Sequence, residues 1–127
     1  MTTAKIFYER NYKLKGSSFQ RLYPNEELCR FIGRNFKKFS NIKKKNIKIL
    51  EVGIGNATNL VMLGKEGFKI YGIDISEEAI KISRKTLAQS NLKSELKQSD
   101  MTNFNFHLKF DCIVDIFSSY CLDNKNF

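Results

Sequence analysis

Two acids and two glycines have the types and spacing of a small-molecule site at the edge of a parallel sheet: Glu51, Gly53, Gly55 and Asp74. An apolar run over 47–52 precedes the glycines and predicts a buried strand. The glycines leave the backbone open to a ligand, and both tolerate φ angles closed to other residues. We expect the next segment, 56–59, to be the first turn of a helix, with the N–H groups from Asn56 onward facing the site.

A second strand is predicted over 69–75, and its acid, Asp74, follows Gly55 by 19 residues. The next residues, Ser76-Glu77-Glu78, are a typical helix start. The whole segment therefore predicts a βαβ unit with a carboxylate at the tip of its second strand. An acid at that place binds the hydroxyls of a ribose, so we expect an adenosine-containing ligand.

Two residues separate this pattern from a dinucleotide-binding fingerprint. Thr58 stands where that fingerprint has its third glycine, which lets the helix pack closely on the sheet. Glu51 lies two residues before Gly53, where its negative charge would repel a pyrophosphate. A carboxylate at this position suits a cationic ligand instead.

The pattern Glu51-Val52-Gly53-Ile54-Gly55, with Asp74 on the next strand, resembles the class I S-adenosylmethionine-dependent methyltransferases. The resemblance covers roughly residues 5–120. It implies S-adenosylmethionine as cofactor, with Glu51 reaching its amino group through water and the glycines carrying its methionine portion. It also implies that Asp100 accepts a hydrogen bond from the adenine amine and that the Met101 amide meets a ring nitrogen.

The same resemblance suggests three more cofactor contacts. Ile75 would line the adenine or methyl pocket, Asp115 would end a fourth strand over 110–117 beside the reactive methyl, and Tyr12 would touch the methionine end. Other interpretations stay open, because an Asp after a strand is a common turn former and a Tyr often packs at a domain surface. We assign no residue as general base.

The predicted fold is α/β, a partial Rossmann-like doubly wound parallel sheet of order 3-2-1-4 with an N-terminal helical cap. Strand three is predicted over 94–98. We divide the chain into a cap and leading helix, 1–45, and a partial S-adenosylmethionine-binding domain, 46–127, which form one structural unit. The leading helix starts at Pro24 and Asn25. Its apolar positions share one face: Leu28, Phe31, Ile32, Phe36 and Phe39.

Composition excludes several classes of protein. The 127 residues are 42% hydrophobic and 28% charged, which indicates a globular domain, and no apolar run approaches the roughly 20 residues of a membrane span. Three cysteines and one histidine without metal-site spacing indicate neither a disulfide framework nor a metal centre. The start of the chain lacks a secretory signal, so we expect a cytoplasmic protein without membrane contact.

The resemblance implies methyl transfer from S-adenosylmethionine, and we expect the acceptor to be a small molecule. The net charge of +9 admits a nucleic acid, but the Lys-rich connector 43–45 is typical of a solvated run, so this partner is less favoured. Two alternatives come from other classes. One is a cofactor-binding or assembly module without turnover, and the other is a nucleotide-dependent oxidoreductase.

The resemblance also predicts that this chain is a fragment that self-associates. The family sheet has seven strands, whereas ten residues, 118–127, follow the predicted fourth strand and cannot form another βαβ unit. Strand four would then be an open apolar edge that pairs with another chain. We expect dimers or aggregates in sedimentation velocity and weak or absent catalysis. A monomer that melts cooperatively and turns over the cofactor would contradict this prediction.

Overall fold

The structure is a computed structural model that describes residues 3–20 and 22–116. Its elements are, in chain order, α1 (Thr3–Lys15), a 3₁₀ helix (Gly16–Phe19), α2 (Glu26–Phe36), α3 (Asn41–Lys45), β1 (Lys48–Val52), α4 (Thr58–Lys65), β2 (Lys69–Asp74), α5 (Glu77–Gln89), β3 (Ser94–Gln98) and β4 (Cys112–Asp115). None of the described helices is both long enough and apolar enough to cross a bilayer.

The four strands form one parallel sheet in the order β3-β2-β1-β4. This order confirms the predicted Rossmann-like arrangement, in which the chain crosses from one side of β1 to the other. The predicted bounds of β3 are confirmed. The structure has β4 over four residues, shorter than the predicted 110–117, and Phe117 lies outside the described residues.

One face of the sheet packs against α2, α4 and α5. Every second residue of each strand points to this face, and the four strands contribute Ile49, Ile70, Leu96 and Val114 to its core. The inner face of α5 is buried at Ala79, Ile80, Ser83 and Leu87. These residues recur with a helical period, as expected for a helix that packs on a sheet.

The other face is covered by the connection between β3 and β4, which contains no helix. Leu50, Val52 and Ile73 are buried there beneath Phe106. Phe106 makes edge-to-face contacts with Tyr71 and Phe110, their ring centroids 5.9 and 5.3 Å away. On the same face, Ile113 of β4 is 60% exposed. Among the described residues β4 pairs only with β1.

The leading helix differs from the predicted one at two positions. Asn25 caps α2 as predicted, its Oδ1 accepting from Leu28 N at 3.0 Å, and Leu28 and Ile32 are buried. Phe31, however, is 45% exposed because it lies on the flank of that buried stripe. Phe39 follows the end of the helix at Phe36. Phe31 and Phe39 were therefore wrongly predicted to share the apolar face of α2.

The helix after the glycine turn begins later than predicted. Asn56 and Ala57 belong to the turn, and α4 starts at Thr58 because Ala57 takes a left-handed conformation with φ of 67°. At its other end, α4 ends at Lys65, two residues before Gly67. Gly67 has φ of 105°, a value that favours glycine after a helix.

We predict that Gly72→Ala destabilises the fold through steric overlap alone. A Cβ at Gly72, in the middle of β2, would lie 2.6 Å from Ile54 Cγ2 and 3.0 Å from Leu60 Cδ1. Overpacking of this kind should lower the free energy of unfolding by about 1–3 kcal/mol in urea titrations.

Gly33→Ala is the matched control. Gly33 lies in α2 with no atom within 4 Å of its would-be Cβ. The same change should therefore raise the free energy of unfolding by about 0.5–1 kcal/mol, because alanine is the better helix former. Equal effects at both positions would contradict the packing described here.

Candidate functional site

A cavity of about 230 Å³ opens at the carboxyl ends of β1 and β2. Its lining comes from residues 3–20, which we call the N-terminal segment, from the ends of β1 and β2, the glycine turn, the start of α4 and the residue after β4. The lining residues are Tyr8, Tyr12, Gln20, Glu51, Gly53, Ile54, Gly55, Asn56, Thr58, Asn59, Asp74 and Ile116. Six of these twelve residues were predicted as site residues from the sequence. The edge between parallel strands is where ligands bind in open α/β sheets.

The glycine turn passes directly beneath the N-terminal segment. Gly53 and Gly55 have φ of 73° and 60°, values that favour glycine. A Cβ at Gly55 would lie 3.1 Å from Tyr12 Oη and 3.4 Å from Gln20 Cγ. The space above Gly55 is therefore occupied by this chain's own side chains.

The Asp74 carboxylate ties the turn to the next helix. Its Oδ2 accepts from Gly55 N at 3.0 Å, and its Oδ1 accepts from Ser76 N at 2.9 Å. Ser76 caps α5, its Oγ accepting from Ala79 N, so Asp74 is not the capping residue. Burial raises the pKa of Asp74, the two N–H donors oppose the rise, and the charge of Glu9 adds to it.

Glu51 is a buried acid with half of its carboxylate unpartnered. It lies within β1 and is 2% exposed. Its Oε2 accepts from Asn59 Nδ2 at 2.8 Å, whereas Oε1 has no hydrogen-bond partner among the described residues. Burial raises the pKa of Glu51 to about 8; the Asn59 hydrogen bond opposes the rise, and the charges of Asp74 and Asp115 increase it. Oε1 can therefore accept a hydrogen bond from a ligand donor or bind a cation.

The N-terminal segment is held over the cavity by polar contacts. Asn56 Nδ2 donates to Ser17 O at 3.1 Å. Glu9 Oε1 accepts from Glu78 N at 2.9 Å, which joins α1 to the start of α5. Tyr12 is buried, and its ring packs edge-to-face on Phe19 at 5.0 Å. Burial raises the pKa of Tyr12, so its hydroxyl stays protonated.

Four predicted site residues do not line this cavity. Asp100 Oδ1 accepts from the backbone N and the hydroxyl of Thr102 at 2.9 and 2.8 Å, the contacts of a turn-forming Asp. Met101 packs against the cluster that contains Phe106. Ile75 directly follows β2. Asp115 ends β4 opposite Val52, close enough to Glu51 to act on its pKa. Their cofactor contacts stay predictions.

The structure adds six lining residues that were not predicted as site residues: Tyr8, Gln20, Ile54, Thr58, Asn59 and Ile116. Asn59 had a weak signal, since a polar side chain in the first turn of α4 lies near the acid that precedes the glycine turn. Tyr8 and Gln20 had none, because their approach depends on how the N-terminal segment packs.

The residues around the cavity suit a ligand with hydroxyl groups and positive charge. The acids that act on one another there are Glu9, Glu51, Asp74 and Asp115. Within residues 3–20 and 22–116, no group of three or more His, Cys, Asp or Glu side chains is placed to hold a metal ion. Cys29 and Cys112 are free thiols, and Cys121 lies outside the described residues.

Known proteins similar to this chain are methyltransferases. EEF1A lysine methyltransferase 2 of Danio rerio is 31% identical over 109 residues, which are 84% of this chain and 46% of that protein. Ribosomal protein L11 methyltransferase of Caldicellulosiruptor saccharolyticus is 29% identical over 89 residues, 65% of this chain and 29% of that protein. The chain thus spans less than half the length of these curated relatives.

A solved structure shares the fold. Magnesium protoporphyrin IX methyltransferase of Synechocystis PCC 6803, with bound S-adenosylmethionine, superposes with a TM-score of 0.74 at 12% identity. The alignment covers 98% of this chain and 67% of that one. Residues 49–127 match the methyltransferase-domain family. Since this match spans more than half of the chain and includes the glycine turn and both buried acids, the protein belongs to the methyltransferase-domain family, with the Rossmann-like fold of class I methyltransferases.

Proposed function

We propose that this chain binds S-adenosylmethionine and forms the cofactor-binding part of a methyltransferase that acts on a small molecule. The observation that carries the proposal is the pair of buried carboxylates, Glu51 and Asp74, on either side of the glycine turn. Their arrangement supports a ligand with a ribose at one end and a cationic group at the other.

The hydrogen-bond acceptors of the cavity fit this cofactor. Each Asp74 oxygen already accepts one backbone N–H, and a carboxylate oxygen has a second lone pair for a ribose hydroxyl. The unpartnered Oε1 of Glu51 would accept from the cofactor's ammonium group. A positive charge in the cavity would also relieve the mutual repulsion of the acids that surround it.

The bound cofactor supplies a methyl group on a sulfonium, which is a good leaving group. The protein then has to hold the acceptor in line with that methyl and exclude water. Tyr8 and Tyr12 would form the wall that excludes water on the side of the N-terminal segment. No described side chain is assigned as a general base.

The N-terminal segment has to move when the cofactor binds. The cavity of about 230 Å³ is smaller than the roughly 300–1,000 Å³ of typical ligand sites. Tyr12 and Gln20 are the side chains directly above Gly55. Their displacement would enlarge the cavity without disturbing the sheet.

A cofactor-binding module without turnover is the second candidate. It is favoured by the short share, 29–46%, of the curated relatives that the chain spans. Transfer of a radiolabelled methyl group into a cell extract distinguishes the two, since a labelled small product supports the enzyme and cofactor binding without labelling supports the module. A labelled nucleic acid would exclude the small-molecule acceptor. The cytoplasmic location stays a prediction.

An oxidoreductase is disfavoured by Glu51. A dinucleotide pyrophosphate beside this buried acid would be repelled by its ionised form and would raise the pKa of the acid still further. Titration of the chain with S-adenosylhomocysteine and with NADH tests this directly. We expect binding of the first and none of the second, and the reverse would overturn the proposed cofactor.

We predict that Asp74→Asn weakens binding of S-adenosylmethionine by about 1.5–3 kcal/mol in calorimetry, the value of a hydrogen bond to a charged group. Asp111→Asn is the matched control. Asp111 also accepts from a backbone N–H, that of Lys48 at 2.8 Å, but at the opposite end of β1. Its substitution should leave the affinity unchanged. Equal affinities of the wild type and Asp74→Asn would rule out the ribose contact.

We also predict opposite pH dependences for stability and for cofactor binding. The pKa of Glu51 rises from its ordinary 4.5 to about 8 on folding, so the folded protein holds the proton more tightly. Glu51 therefore stabilises the free protein fully below pH 4.5, and this contribution is lost as the pH rises to about 8. The loss is at most about 1.4 kcal/mol per pH unit.

Cofactor binding should strengthen over the same pH range, because a cation prefers the ionised acid. Urea titrations and calorimetry at a series of pH values measure the two trends. Glu51→Gln should remove the contribution of this acid from both. If the variant kept the wild-type dependence of affinity on pH, Glu51 would not contact the cationic group.

A further inference from the structure

We infer that Asn59 is a positioning residue of the cofactor site, which orients the Glu51 carboxylate and couples it to the amino end of α2. This inference rests on the proposed function, since it concerns how the acid is presented to the cofactor. Asn59 lies in the first turn of α4, directly after the glycine turn. Its side chain contacts both β1, at Glu51, and the residue before α2, Asn25.

The side-chain amide of Asn59 forms two hydrogen bonds of opposite direction. Its Oδ1 accepts from Asn25 N at 2.8 Å, and its Nδ2 donates to Glu51 Oε2 at 2.8 Å. A backbone N–H only donates and a carboxylate only accepts, so these partners fix which end of the amide faces each. The asparagine amide offers a donor and an acceptor without carrying a charge.

The contact with Asn25 extends this link to the core. Asn25 caps α2 through its Oδ1, which accepts from Leu28 N, and Leu28 is buried against the sheet. The position of α2 is thereby tied to the orientation of the acid. A shift of α2 would therefore change the orientation of Glu51 through Asn59.

The hydrogen bond from Asn59 also favours the ionised form of Glu51. The charged groups that face the acid come from two strands, Asp74 from β2 and Asp115 from β4, and both oppose its ionisation. Tyr12, from α1, faces the same region with a protonated hydroxyl. Because Oε1 is unpartnered within the described part of the chain, loss of Asn59 would leave both oxygens without a donor there.

The test is a carbon-13 NMR titration of the Glu51 carboxyl group, assigned by the absence of its signal in Glu51→Gln. Asn59→Leu and Asn59→Ala both remove the two hydrogen bonds without adding a charge beside Glu51. Asn35→Leu is the control, because Asn35 is exposed on α2 and donates to Phe31 O far from the cavity. We expect the midpoint to rise by about one pH unit or more in both Asn59 variants and not in the control.

Affinity for S-adenosylmethionine, measured by calorimetry, supplies the second readout. In Asn59→Leu it should be about ten-fold weaker near pH 6.5, and the loss should shrink near pH 8.5, where Glu51 is ionised in more of the molecules. A purely structural role would give the same loss at every pH. Asn59→Ala adds neither bulk nor charge, so it keeps the test decisive if Asn59→Leu fails to fold.

The outcomes separate the two proposals. If the wild type binds the cofactor but the Glu51 midpoint is unmoved in Asn59→Leu and Asn59→Ala, the inference is overturned and the proposed function stands. If the midpoint moves but the wild type binds no cofactor, the proposed function is overturned, while the coupling of Asn59 to Glu51 is supported.

Discussion

Two buried acids at the ends of adjacent strands are the constraint on which the rest of the site depends. Asp74 accepts from Gly55 N and Ser76 N, so a single carboxylate fixes both the glycine turn and the start of α5. Glu51 is more deeply buried, and only one of its oxygens has a partner among the described residues. Burial raises the pKa of both acids, which indicates that the free protein bears the cost of two poorly solvated carboxyl groups. A cationic ligand would lower that cost, so a site that is costly for the free protein is favourable for the complex.

The N-terminal segment completes the site, and its contacts differ in kind from those of the sheet. The sheet strands are joined by ladders of backbone hydrogen bonds, whereas α1 and the 3₁₀ helix are attached through contacts such as Glu9 with the start of α5 and Asn56 with Ser17. Tyr12 fills space directly above the glycine turn. The strands therefore place the acids, and the N-terminal segment limits the size of the cavity.

Much of this architecture could be predicted from the sequence, because buried strands and amphipathic helices have regular apolar periods. The bounds of β3, the inner face of α5 and the strand order required only those patterns and the rule for crossover connections. The predicted start of α4 was wrong because Ala57 adopts a left-handed conformation, for which alanine has no special preference. The covering of the second face by Phe106, and the contact of Asn59 with the chain before α2, join residues far apart in sequence. Local patterns carry no information about such contacts.

Amide chemical-shift mapping with S-adenosylhomocysteine shows whether this carboxyl edge binds the proposed cofactor. We expect the largest shifts at Gly53, Gly55 and Ser76 on the edge, followed by Tyr12 in α1. Amides of α3 and the first residues of β2, at the opposite end of the sheet, should remain unchanged. Saturable shifts centred on that opposite end, or no saturable shift at all, would mean that the cofactor binds elsewhere or not at all.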